Sequence, residues 1–168
     1  MRYEYEIQKI DYLSGKSTGI YSVRLRGEKL DLLEIFFQEN EGEYEDEVES
    51  LLVQLEFIGR NGLRRGYFKE NEGELNDGVC ALFDTPDKKL RLYFINNGNV
   101  NLVFGGGGPK PKSIRAYQKD PKLAREASIL KQISKDLVQR IKDKDIYYCN
   151  DNRDLAGDLK NYEDDDDN

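Results

Sequence analysis

Apolar and polar residues alternate from the first positions of the chain. Tyr3, Tyr5 and Ile7 fall on one face of residues 2–13, with Glu4, Glu6 and Gln8 on the other. Tyr21, Val23 and Leu25 repeat the period after the turn-rich stretch Ser14–Gly19. A period of two in a stretch rich in aromatic and branched residues predicts strands, here an opening antiparallel hairpin. The period then changes. Leu30, Leu33 and Phe37 fit a short helix over 27–38. Val48, Leu51, Leu52, Leu55 and Ile58 fit a second, ending at Gly59 or Gly62. The acidic run 39–47 between them reads as a loop or as the start of that second helix, where acids suit the positive end of the dipole. Val79, Ala81 and Phe83 return to alternation.

Leu90, Leu92 and Phe94 alternate with Arg91, Tyr93 and Ile95. Then come Asn96-Asn97-Gly98-Asn99, and Val100, Leu102 and Phe104 alternate again. Asn-Gly tolerates the positive φ of a tight hairpin turn, so 90–104 predicts a hairpin closing a meander of three strands. Gly105 to Gly108 follow. Four glycines carry so much backbone entropy that irregular structure is expected, as a tight bend at a sheet edge. Pro109 and Pro111 stiffen the exit. Asp120 as N-cap, Pro121 in the first turn and an apolar stripe through Leu123, Ala127, Leu130, Ile133, Leu137 and Ile141 predict a long helix over 121–142.

The expected fold is therefore α+β: a small antiparallel sheet, two preceding helices and a long C-terminal helix. Residues 1–142 form one domain, with 1–26 as an N-terminal hairpin extension. Residues 143–168 form an acidic, flexible tail ending in Asp-Asp-Asp-Asp-Asn. A length of 168 residues suits a single domain. The charged, alternating start of the chain is not a signal peptide. No apolar run approaches the roughly 20 residues of a membrane span, so a cytoplasmic protein with no membrane partner is expected.

Charge changes the picture more by distribution than by its total of −7. Residues 39–49 hold seven acids and no base, and 151–168 hold eight acids against Arg153 and Lys160. Residues 105–144 hold eleven Lys or Arg against four acids. A basic block in an acidic chain is a candidate contact for phosphate or for an acidic partner. The tail could fold back over this block and screen it. The chain has no histidine, which excludes Ser-His-Asp, Cys-His and His-Glu-x-x-His chemistry. Cys80 and Cys149 are too far apart in sequence for a Cys-x-x-Cys motif and read as structural thiols. The glycine run is not a Walker loop, because Pro109-Lys110-Pro111-Lys112-Ser113 separates it from the next helix. No cofactor and no metal are expected.

The candidate chemistry lies in Arg91 and Tyr93 on the hairpin and in Lys110, Lys112, Arg115, Tyr117 and Lys119 after it. Cations neutralise phosphates, and an aromatic among them can stack on an unpaired base. With Leu90, Leu92 and Phe94 facing the core, Arg91 and Tyr93 share the opposite face. They form either an exposed RNA platform or an ordinary cross-strand pairing with an acid such as Asp84.

From Ile20-Tyr21-Ser22-Val23-Arg24-Leu25-Arg26-Gly27 through two helices, a strand ending Val79-Cys80-Ala81-Leu82-Phe83-Asp84, and the stretch 90–127, the chain resembles RelE/HigB-type toxins of the RelE–ParE superfamily, which includes phage-related proteins. The resemblance covers about residues 21–137. It implies a RelE-like fold and, in the RNA-cleaving members, metal-independent cleavage of mRNA on the ribosome, with basic side chains positioning the phosphate while the 2′-OH attacks. By position it assigns Arg91, Lys110, Lys112 and Arg115 to catalysis. Tyr93, Tyr117, Lys119, Arg64 and Arg65 would bind RNA. The expected partners are RNA or the ribosome, and an antitoxin protein. The chain departs from the pattern in its opening hairpin, its acidic tail, its negative charge and its four glycines. The alternative is a non-catalytic interaction module whose basic loop and helix bind an acidic protein; a structural protein of a mobile element is a third reading.

Overall fold

The computed structural model describes residues 2–64, 68–69, 78–82, 89–110 and 120–164. Among these residues, eight strands and three helices follow in the order β1 (Tyr5–Lys9), β2 (Gly19–Leu25), α1 (Leu32–Asn40), α2 (Glu45–Asn61), β3 (Phe68–Lys69), β4 (Val79–Leu82), β5 (Leu90–Asn97), β6 (Asn101–Pro109), α3 (Pro121–Lys142), β7 (Ile146–Cys149) and β8 (Asp154–Gly157). The mixed α+β class and the C-terminal helix are as the periodicity predicts.

β1 to β6 form one sheet in the order β1-β2-β6-β5-β4-β3, while β7 and β8 pair separately. The sheet is larger than expected and is not wholly antiparallel, because β2 runs parallel to β6. That pairing places both strands in the middle, covered on both faces, and β6 is buried from Asn101 to Gly108. On one face α1 and α2 pack Leu33, Phe36, Leu51, Leu55 and Ile58 against Leu92, Phe94, Leu102 and Phe104. On the other, α3 packs Leu123, Leu130, Ile133 and Leu137 against Tyr5, Tyr21, Ala81, Tyr93 and Val103.

Local chemistry sets the helix ends. Asp31 caps α1 by accepting from the Glu34 amide at 3.0 Å, and Ser22 of β2 donates to the same carboxylate at 2.9 Å, tying the strand to the helix. Glu45, Asp46 and Glu47 occupy the first turn of α2, where acids offset the dipole. Asp120 caps α3 through the Leu123 amide at 3.0 Å, with Pro121 in the first turn.

Two expectations need correction. The glycine run is strand, since Gly105 to Gly108 continue β6. Leu92 pairs with Gly107 and Phe94 with Phe104, so Tyr93 faces two residues, Gly105 and Gly106, in a bulge. α3 lies so close that a Cβ on Gly105 would come within 3.1 Å of Leu130. Packing outweighs the entropy cost of glycine here.

The second correction concerns the tail. Residues 146–157 form a hairpin that buries Ile146 and Leu155 in the core. The Tyr21 hydroxyl accepts from the Leu155 amide at 3.0 Å and donates to Asp154 at 3.3 Å. Beyond the hairpin the chain runs along β1, with Lys160 bridged to Glu6. β2 and β6 separate that edge from β5. The described tail therefore lies along the β1 edge, where it meets Arg140 of the basic block, and away from β5, the strand that carries Arg91.

Candidate nucleic-acid interface

The base of the β5–β6 hairpin gathers cations from two paired strand ends. Arg91 pairs with Gly108 and Leu90 with Pro109. The Lys110 amide donates to the Lys89 carbonyl at 2.6 Å, extending the ladder by one step. Lys122, in the first turn of α3, lies over Gly108: a Cβ there would sit 3.3 Å from Lys122 Cε. Lys89, Arg91, Lys110 and Lys122 thus occupy neighbouring positions where β6 leaves the sheet and α3 begins.

Acids border this group. Glu47 of α2 accepts from the Lys89 and Leu90 amides at 2.6 and 3.0 Å, fixing the start of β5. Lys122 Nζ lies 3.0 Å from Glu39 and 3.9 Å from Glu126. The Glu126 side chain is only 11% exposed. Burial raises its pKa above the ordinary value, against the lowering effect of Lys122 and Arg125. Among the described residues, no group of three or more Cys, Asp or Glu could hold a metal ion.

The expected RNA platform does not stand open. Tyr93 is 1% exposed and belongs to the core beneath α3, so it cannot stack on a base in this conformation. Arg91 is 8% exposed. The cause is common to both: α3 covers the face that alternation leaves to Arg91 and Tyr93, and a period of two cannot tell an exposed face from a covered one. Arg64 is exposed, with its guanidinium 5.6 Å from the centre of the Phe57 ring. It follows the C-terminal end of α2, whereas Glu47 lies in the first turn. At 17 residues that helix is about 25 Å long, so Arg64 is remote from the hairpin base. Arg65, Lys112, Arg115, Tyr117 and Lys119 lie outside the described residues, as do Phe83 and Asp84. Lys89 and Lys122 were not singled out from sequence. Only the pairing of Lys89 with Lys110, and the seat of α3 over Gly108, bring them in.

Comparison with models of known families, with curated proteins and with solved structures finds no match. No helix among the described residues is long and apolar enough to cross a membrane.

Proposed function

We propose that this chain is a RelE/HigB-like, toxin-type protein that binds RNA at the base of the β5–β6 hairpin, in a cytoplasmic setting. The observation that carries the reading is the strand pairing that sets Lys110 opposite Lys89, with Arg91 two residues along β5 opposite Gly108 and Lys122 over that glycine. Over the residues that carry the resemblance the described elements are a strand, two helices, the four consecutive strands β3 to β6 and a long helix. Lysines at the hairpin base would meet the RNA backbone first, with Arg91 behind them. If cleavage follows, they would stabilise the charge that builds as the 2′-oxygen attacks phosphorus and the 5′-oxygen leaves. An antitoxin protein and the ribosome are the partners this reading calls for.

A second reading has an observation of its own. Burial of Arg91 and Tyr93 leaves the hairpin base to lysines, which suits a non-catalytic module gripping an acidic protein. Two measurements separate the readings. Single-stranded RNA should bind the full chain at low salt, with log K falling by about 0.7 per phosphate contact for each log unit of salt. Lys110→Glu should weaken it. Induction should arrest growth, and Arg91→Ala should abolish the arrest. Absence of RNA binding at low salt refutes the first reading. Induction without arrest, alongside one stoichiometric protein partner, supports the second.

A further inference from the structure

The edge of the main sheet at β1 is filled by the chain's own last described segment, which is held in a way that a mere cover would not need. Ile7 N–H donates to the Leu159 carbonyl at 2.9 Å, and Asn161 N–H to the Tyr5 carbonyl at 3.1 Å. Side chains then fix the register. Asn161 accepts from the Tyr5 amide at 2.7 Å and donates to the Tyr3 carbonyl at 2.8 Å, so one amide group reads the backbone on both sides of Glu4. From behind the edge, Arg140 of α3 donates to the carbonyls of Asp158 and Lys160 and to the Tyr5 hydroxyl. That hydroxyl donates in turn to Asp136 at 2.7 Å. Further along, Arg24 donates to the Tyr162 hydroxyl at 3.1 Å, and the Arg26 guanidinium lies 4.9 Å from the centre of its ring.

Almost all of this is polar and directed at backbone. Leu155 is the last fully buried apolar residue, and Leu159 is only partly buried. Arg140 is 7% exposed with the segment in place, and departure of the segment would take away the two carbonyls it faces. The edge thus requires a strand yet draws little hydrophobic energy from the one it has. Contacts aimed at main chain do not depend on which polypeptide supplies it.

We propose that the β1 edge, with Arg140 behind it and Arg24 and Arg26 at its end, is a strand-accepting interface. Its partner is an extended peptide strand of another polypeptide that carries an Asn-aromatic pair. Residues 158–164 are the cis occupant that such a strand replaces. Arg24 and Arg26 are held at that end by Glu6 at 2.9 Å and Glu4 at 3.1 Å, and there they meet the Tyr162 side chain. The inference is independent of the RNA reading.

The test uses the full chain and a synthetic peptide of residues 157–168. Amide exchange at Ile7 reports whether the edge is occupied. In the wild type, a cis strand has an effective concentration on the order of millimolar and should exclude the peptide. In Asn161→Ala and in Tyr162→Ala the cis strand is loosened, so Ile7 should exchange at least 10-fold faster. Added peptide should restore its protection, and a peptide with Ala in place of Asn161 should not. Tyr162→Ala removes only a surface ring and decides the matter if Asn161→Ala fails to fold. Fast exchange at Ile7 that 1 mM peptide leaves unchanged in a folded variant, or no acceleration in either variant, overturns the proposal and makes the segment a fixed part of the sheet.

Discussion

Replacing Gly107 by alanine should be among the costliest single-methyl additions to this protein. Gly107 sits in β6 opposite Leu92, and its φ is not positive, so an L residue suffers no backbone strain there. The obstacle is space. A Cβ would land on the Arg91 carbonyl oxygen, with the Arg91 carbonyl carbon at 2.9 Å and Leu92 Cα at 3.0 Å. All three are backbone atoms of the next strand, and no rotamer can move them. β5 must shift, in a sheet packed by helices on both sides. Overpacking of this kind costs about 1–3 kcal/mol. Weakening the two ladder steps at Arg91 and Leu92 adds about 1 kcal/mol each. The lower entropy of an unfolded alanine chain returns about 0.4–1 kcal/mol. The net is about 3 kcal/mol, or a fall in Tm of about 6–12 °C for a domain of this size. Urea titration followed by circular dichroism measures it. Gly42→Ala is the control, since a Cβ there meets nothing within 4 Å and the residue has no positive φ. Gly106→Ala should fall between them, because its Cβ would meet the far end of the Glu126 side chain, which can swing away. A Gly107→Ala protein within about 1 kcal/mol of wild type, or one less affected than Gly106→Ala, refutes the bulged pairing of β5 with β6.

Glu126→Gln should stabilise the protein at neutral pH. Burial raises the carboxyl pKa in the folded state, so its stabilising contribution is complete below the ordinary value of 4.5 and is lost as pH rises through the raised one. The advantage of glutamine should therefore shrink on going from pH 7 to pH 4, as paired urea melts would show; an advantage that grows on acidification contradicts the burial argument. Tyr21→Phe should loosen the C-terminal hairpin. It strands the Leu155 amide, at a cost of about 1–3 kcal/mol, and faster amide exchange at Leu155 would report it. Burial pushes the Tyr21 phenol up to about 12, so the loss should be the same at pH 6 and pH 9.

Alternation and helical period carried the elements well. The hairpin at 90–104, the second helix with Leu51, Leu55 and Ile58 inward, and the capped helix at Pro121 are all visible because each depends on residues near in sequence. What depended on distant pairing was not visible. Nothing in Gly19–Leu25 says that it will lie parallel to residues eighty positions later. Nothing in four glycines says that a helix will press on them from above.

The same limit explains the site. Arg91 and Tyr93 alternate correctly with Leu90 and Leu92, but alternation fixes only which residues share a face. Whether that face meets water is decided by α3, and α3 reaches it because Gly105 and Gly106 let Leu130 and Glu126 come down onto the bulge. Glycines that read as a break are thus what buries Tyr93. They also set the seat of Lys122 over Gly108, and so supply a cation to the hairpin base while withdrawing an aromatic from it. A nucleic acid at this position would meet lysines and phosphate chemistry first. Base stacking would have to come from outside the strand that alternation pointed to.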